Sequence, residues 1–528
     1  MAEPGSPEWW LRRLHGEMIE RRPHLRRLHE YYDGRHPLGF ASKKFLETFG
    51  GLFRAFADNW CGLVVDACEE RLHVVGFRAD PQELKADDDA WRIWQENQLD
   101  AQSQLAHTEA LISGEAYACV WFADGGEATP EITVESPRNV AVAHHPKMRR
   151  RRLAALRTWL DEWGYEHAEL FLPDRVHLFR SKTPVGDVVV MAQRAEWVPD
   201  INLAGVDEVG SMANPLGVVP VVALPNNPRL VSSFPLVSGS EIASVIPLQD
   251  GVNKLVADLL VASEAVAMPM RFAIGYELDV DPTTNQPVPP PFTRADARWA
   301  VLAQAGAQLG QLQGADLSSF VKAIEMLVQH VASISRTPPH YLNASADRLS
   351  GESIKAAETG LVAKVCRKQR HFGESWEEVM RLAGMVADIP QLAKATRAET
   401  VWADPESRTE SEKVDSAQKR QALHVPDEQL WEDVGYSPQQ ISRFRAMNAT
   451  QALLAGPAPA GGGASDVKAQ ADAMGVLVRS GVEPAAAAER VGLSGLPFTG
   501  AVPTTLRLPE ADADLLEGKG GVGDPPGQ

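Results

Sequence analysis

At 528 residues, with 44% hydrophobic and 23% charged side chains, the chain has the balance of a folded protein of about two to four domains. A formal charge of −18 excludes a protein that grips nucleic acid over its whole surface, which takes an excess of Lys and Arg to displace counterions from phosphate. An acidic wall that surrounds DNA and lets it slide stays compatible with that charge, though acidity alone does not argue for one.

In chain order, the N-terminal third reads as mixed α and β. Residues 8–32 form a helix rich in Arg and His, ending at Asp33-Gly34. Residues 49–72 suggest a second helix, with Phe53, Phe56, Trp60, Val64 and Val65 at helical spacing. A strand over 72–77 and helices over 87–97 and 98–112 come next. Strands are expected over 115–122, 131–135 and 139–143, then 153–163, 165–172, 174–180, 187–198 and 218–224. Nine of the 13 Trp precede residue 200, which places a large aromatic core there.

The middle changes character. A long helical pattern over 238–266 opens on an apparent capping box, Ser238 with Glu241, while Pro247 inside it predicts a kink or a late start. Residues 268–315 hold short strands near 270–276 and 299–303 around a proline-rich loop. The next helix, 317–335, carries Phe320, Val321, Ile324, Leu327, Val328, Val331 and Ile334 on one stripe and spans ~28 Å. It stops at Thr337-Pro338-Pro339. A polar loop, 340–350, leads into a long helix to about Met385. That helix carries Lys355, Lys364, Arg367, Lys368, Arg370 and His371, and reads either as an ion-paired surface helix or as a subunit interface. Short helices follow over 410–423, 426–434 and 438–454. Beyond a Pro/Ala/Gly linker lie a helical pair, 465–480 and 484–491, and a tail expected to be disordered.

Signs of chemistry are sparse. No stretch approaches the roughly 20 apolar residues of a membrane span, and Met1 to Trp10 does not read as a secretory leader. Cys61, Cys68, Cys119 and Cys366 are too few and scattered for a disulfide framework, so buried thiols in a reducing cytoplasm are expected. No Gly-x4-Gly-Lys-Ser/Thr loop, His-Glu-x-x-His helix or Gly-x-Ser-x-Gly elbow occurs, and neither enzyme activity nor a cofactor or catalytic metal is expected. Asp279, Asp281 and Asn285 suggest a solvated turn better than a calcium loop, which needs a glycine absent here. His144-His145 and Arg149 to Arg152 either touch phosphate or form a solvated basic loop. The two apolar-striped helices around the β/Pro insert would form an antiparallel hairpin needing a neighbour to cover it, which identical subunits in a ring would supply.

Several phrases stand out along the chain: Tyr31-Tyr32-Asp33-Gly34-x-His36-Pro37-Leu38, Asn59-Trp60-Cys61-x-Leu63-Val64-Val65-Asp66 and Arg71-Leu72-x-Val74-x-Gly76-Phe77. Further along come Ile246-Pro247-Leu248-Gln249-Asp250-x-x-Asn253-Lys254, Thr337-Pro338-Pro339-x-Tyr341-Leu342, Ser350-Gly351-Glu352-Ser353-Ile354-Lys355 and Phe498-Thr499-Gly500-Ala501-Val502-Pro503. Together and in this order they resemble the portal proteins of tailed bacteriophages, especially siphophages of Gram-positive and above all actinobacterial hosts.

The resemblance implies an α+β portal architecture. Its parts would be a wing (1–237), a first stem helix (238–268), a β-containing clip (269–316), a second stem helix (317–336) and a tunnel loop (337–350). A long wing helix (351–387), a helical crown (388–455) and a flexible C-terminal segment (456–528) would complete it. It implies a homo-oligomeric ring, a dodecamer in virions, through which double-stranded DNA is packaged and ejected. The partners would be the terminase large subunit, major capsid and scaffolding proteins and a head-tail adaptor, with assembly in the host cytoplasm and no membrane. The DNA-channel loop would use His340, Asn343, Ser345, Asp347 and Arg348, and the stem interface Leu255, Leu259, Ile324, Val328 and Val331. The alternatives are a head-tail adaptor ring, usually a far shorter chain, and a nucleic-acid-processing enzyme of a mobile element, which would need carboxylate clusters or a nucleotide loop.

Overall fold

Ser6 opens the first helix, α1 (Pro7–Tyr32): its hydroxyl accepts the Trp9 N–H at 3.3 Å and Pro7 takes the first helical position, the usual roles of Ser and Pro at a helix start. A computed structural model describes residues 3–49, 58–80, 87–123, 129–184, 196–201, 206–230, 237–267, 271–274, 280–284, 286, 299–302, 308–311, 316–342, 351–406, 410–454, 464–479 and 482–493. It divides into two units, 1–418 and 419–528.

In the first unit, α2 (Lys43–Phe49), α3 (Trp60–Glu69), β1 (Val74–Arg78), α4 (Asp88–Glu96) and α5 (Leu99–Ser113) follow α1. Asn59 caps α3 by accepting the Gly62 N–H, and Asp87 caps α4 through Ala90. Gly114, at φ +95°, ends α5 in the left-handed conformation that favours glycine. Strands β2 (Glu115–Phe122), β3 (Pro130–Glu135), β4 (Val140–His144), β5 (Arg152–Leu160), β6 (Glu166–Phe171), β7 (Arg175–Ser181), β8 (Trp197–Pro199), β9 (Ser211–Ala213) and β10 (Val221–Pro225) build two sheets. One is three-stranded, ordered β10-β2-β3; the other runs β4-β5-β6-β7-β8, with β9 also on β7.

Alternation along the strands stacks these sheets into layers. Ala154 and Leu156 of β5 meet Leu11, Leu14 and Met18 of α1, while Ala155 between them faces Tyr117, Cys119 and Val221 of the smaller sheet. Ala116, Ala118 and Val120 of β2 point the other way, into the helical core. Burial on both faces explains why β2 reads as one apolar run.

The helical core is organised by α9 (Gly351–Val386), 36 residues and ~54 Å long. Leu361, Val365, Phe372, Trp376, Val379 and Met380 are all buried on it. Of the two sequence readings of this helix, surface helix or subunit interface, neither describes that stretch: Lys364 and Lys368 lie inside the subunit's own core. After α9 come α10 (Pro390–Ala393), β14 (Glu399–Trp402) and α11 (Glu410–Gln421). Strand β14, absent from the sequence reading, pairs antiparallel with β1, Val74 opposite Trp402.

Between the sheets and α9 runs α6 (Ile246–Ala267), then strands β11 (Arg271–Ile274), β12 (Trp299–Leu302) and β13 (Gln308–Gln311), α7 (Ser318–Ser335) and the turn α8 (Pro339–Leu342). Helix α6 makes the late start that Pro247 allows, and Ser238 caps nothing. The preceding segment is instead pinned to the end of α5, with the Glu241 N–H donating to the Leu111 carbonyl at 2.9 Å. In the three-stranded sheet, β11 is parallel to β12 and antiparallel to β13.

The second unit holds α12 (Asp427–Val434), α13 (Pro438–Leu454), α14 (Ala464–Arg479) and α15 (Pro484–Arg490). Phe444 packs edge-on against Trp431 and Tyr436 there. The linker 456–463 and the tail after 493 lie outside the described residues.

Candidate channel and assembly surfaces

The root of α6 is held by a polar cluster. Gln249 and Asn253, one turn apart, are both buried. Gln249 Oε1 accepts the Trp60 N–H at 2.8 Å and its amide donates to the Asp58 carbonyl. Asn253 Oδ1 accepts the Asp58 N–H at 3.0 Å, and its amide group lies 2.7 Å from His36 Nε2. Tyr31 donates to Asp250 at 2.8 Å and stacks on His36, whose pKa burial lowers. A Cβ at Gly39 would lie 2.5 Å from Asp250 Cγ, so the chain passes there only without a side chain. Three of the phrases quoted above thus converge on one joint between α1, α3 and α6. Their signal was the spacing of Gln249 and Asn253, two amides one turn apart near the start of the helix.

A second joint stands where α9 begins. Arg71 donates to Tyr341 Oη at 2.8 Å, Glu358 Oε1 at 3.2 Å and the Pro405 carbonyl at 2.6 Å. His340, a candidate channel residue, is half-buried, with Nε2 3.6 Å from Glu358 Oε1 and its ring edge-on to Tyr341. The other channel candidates, Asn343, Ser345, Asp347 and Arg348, lie outside the described residues.

Glu241 forms a third centre, with a role the capping-box reading missed. Lys364 Nζ lies 3.1 Å from its Oε2 and donates to the Ser335 carbonyl at 2.8 Å; Lys368 contacts Oε1 and donates to Asn226 Oδ1 at 2.5 Å. Burial would raise this carboxyl, but the two ammoniums outweigh it and hold the pKa at about 2. Burial lowers the Lys368 ammonium, against the pull of Glu241.

Helices α6 and α7 pack together, with Leu327 3.2 Å from where a Cβ would stand at Gly251. Val331 is 0% and Val328 8% exposed, both in the subunit's own core, so neither side chain is open to a neighbouring subunit. Leu255, Leu259 and Ile324 are half-buried. The apolar side chains the hairpin leaves outside are Leu260 and Val266 on α6, and Val321, Met326 (50%) and Ile334 (52%) on α7.

Elsewhere, Cys61, Cys68 and Cys119 are buried free thiols, and burial pushes Cys61 and Cys119 up to about 12, which makes them inert. Of the basic loop, Arg152 is bound to Glu378 at 2.8 Å. Asp281 accepts the Thr283 N–H in a local turn, while Asp279 and Asn285 lie outside the described residues. Among the described residues no helix is long and apolar enough to cross a membrane.

The fold is thus of mixed α and β class, with a helix–sheet–helix hairpin and a long core helix. The family described as "Phage portal protein, SPP1 Gp6-like" matches residues 11–451. The chain belongs to this family, so it is a phage portal protein and a component of the virion. It is 32% identical to the portal protein of Mycobacterium phage D29 over 412 residues, 74% of this chain and 79% of the relative. It is 31% identical to that of Mycobacterium phage L5 over the same length, 74% of this chain and 78% of the relative. A chain from the virion of a native gene transfer agent (GTA) particle is similar over 76% of this chain and 89% of its own, with TM-score 0.40 and 10% identity.

Proposed function

We propose that identical subunits close into a ring, a dodecamer in the virion, whose bore passes double-stranded DNA during packaging and ejection. The observation that carries this is the α6–α7 hairpin, with apolar side chains on its outer surface that the rest of the subunit leaves uncovered. A head-to-tail contact between copies would bury them, and such contacts generate rings when the rotation closes. In this reading residues 1–237 with the helix of 351–387 form the wing, 238–268 and 317–336 the stem, 269–316 the clip, 337–350 the tunnel loop and 388–455 the crown. The seam would use Leu255, Leu259 and Ile324 with the exposed Leu260, Met326 and Ile334. The clip would meet the terminase large subunit and later a head-tail adaptor, while the wing would meet capsid and scaffolding proteins during assembly in the host cytoplasm.

The subunit itself does no bond chemistry; its work is to close, to repel phosphate from an acidic bore and to let a loop shift around the duplex. His340, on α8 and close to Glu358, fixes one end of that loop, and Asn343, Ser345, Asp347 and Arg348 would line the narrowest part of the bore. Two observations test this together. Negative-stain images of the purified protein should show a turbine-like ring. Deleting Ala344 to Asp347 should leave that ring intact while impairing packaging or retention of DNA. Monomers in the images, or a full genome packaged and held by the deletion variant, would overturn it.

A further inference from the structure

Between Glu135 and Asp161 the chain carries seven Arg and Lys and no carboxylate, in a protein of net charge −18. Two of the seven turn back into the protein. Arg157 pairs with Glu169 at 2.8 Å and Glu135 at 3.5 Å, and Arg152 pairs with Glu378 at 2.8 Å. Lys147, Arg149, Arg150 and Arg151 are exposed on the loop joining β4 to β5, Arg149 with a partner of its own and Arg150 at the edge of ion-pair reach of Glu374.

This loop is built rather than loose. The His145 N–H donates to the Arg151 carbonyl and the Arg151 N–H to the Met148 carbonyl, both at 2.8 Å. Inside it, His145 Nδ1 accepts the N–H groups of Lys147 and Met148, each at 3.1 Å. Arg150, with its side chain 98% exposed, approaches Glu374 no closer than 3.9 Å.

We propose that this loop binds the phosphate backbone of double-stranded DNA outside the bore. Four cations within five residues, with Met148 as the one apolar side chain among them, match a regular polyanion. The five residues include no aromatic side chain, the common anchor of a protein interface, although Arg and Met occur there too, so the density of charge is what favours DNA. Helix α9 measures the separation from the channel. Glu374 lies 23 residues along it from Gly351, about 35 Å at 1.5 Å per residue, farther than a duplex is wide. With α9 running outward from the channel wall over that length, the loop meets a different stretch of DNA from the one in the bore. The choice of duplex DNA as the polyanion, and of the start of α9 as channel-facing, rests on the reading above.

The test uses covalently closed circular duplex, which has no end to thread through a ring. The full-length protein should bind it, with affinity falling roughly a hundredfold between 50 and 200 mM salt for about four phosphates engaged. In the variant Lys147→Gln, Arg149→Gln, Arg150→Gln, Arg151→Gln the log–log salt slope should flatten by about 3 or more. Should that variant fail to assemble, Arg150→Glu alone should flatten the slope by about 1. Unchanged affinity and slope would overturn the proposal. So would poly-glutamate of matched charge binding as tightly as DNA, which would make the loop a dock for an acidic protein. Either failure leaves the channel reading untouched, because circular DNA cannot report on the bore.

Discussion

Replacing Glu241 by Gln removes one negative charge from a place where two ammoniums are buried, Lys364 and Lys368. Its folded carboxyl lies at about 2 against an ordinary 4.5. The charged form is therefore favoured by folding, worth about 3 kcal/mol for roughly 2.5 pH units at 1.36 kcal/mol each. That contribution is fully present above pH 4.5 and is lost as pH falls through about 2. Leaving buried charges unpaired typically costs about 3–5 kcal/mol, so the two routes agree. Urea unfolding at pH 7, followed by tryptophan fluorescence with Trp94 and Trp376 both buried in the helical core, should show Glu241→Gln destabilised by about 3 kcal/mol or more. Repeated toward pH 2, the variant should lose the share of the acid-side dependence that Glu241 supplies, while Glu109 and Glu378, also held below the usual carboxylate range by their partners, keep theirs. The triple variant Glu241→Leu, Lys364→Met, Lys368→Met should recover most of the loss, because a buried ion network exchanged for apolar side chains is often neutral. A Glu241→Gln protein within about 1 kcal/mol of its parent, or one with the parent's acid dependence, would refute the reasoning.

Aspartate at two positions of the hairpin should separate assembly from folding. Leu259→Asp, at a half-buried site, should leave helical circular dichroism intact while sedimentation shows monomers; Val331→Asp, fully buried, should unfold the subunit itself by about 3 kcal/mol or more. Gly39→Val should force Asp250 away from Tyr31 and cost about 1–3 kcal/mol, read as faster amide exchange in the first turns of α6.

Elements whose determinants are local were legible in the sequence. Helix α1 with its end at Asp33, the paired helices α4 and α5, and strands β2 to β7 fall within a few residues of expectation, because turn residues, glycines and alternation mark them. Strand β14 escaped notice: four residues carry little pattern, and its partner β1 lies more than 300 residues earlier. The burial of α9 was hidden for a related reason, since Lys364 and Lys368 look like surface charges until Glu241 is seen between them. Apolar periodicity found α7 but not the division of its stripe, whose inner part, Val328 and Val331, belongs to the subunit's core while Ile334 faces out. In the family phrases the order of residues was readable, but not that Tyr31, Trp60 and Gln249 belong to one joint.

The pairing of β1 with β14 also sets a clock on biosynthesis. Val74 leaves the ribosome 328 residues before its partner Trp402, a delay of roughly 15–65 s at ordinary elongation rates. During that interval the hairpin of α6 and α7 has already emerged, with its outward apolar side chains, while α9 is unfinished and Glu241 awaits its two lysines. Nascent subunits on neighbouring ribosomes thus carry a sticky hairpin before they own a finished core. Strand β14 is among the last pieces of the first unit to arrive, so the core closes only after the hairpin is already out.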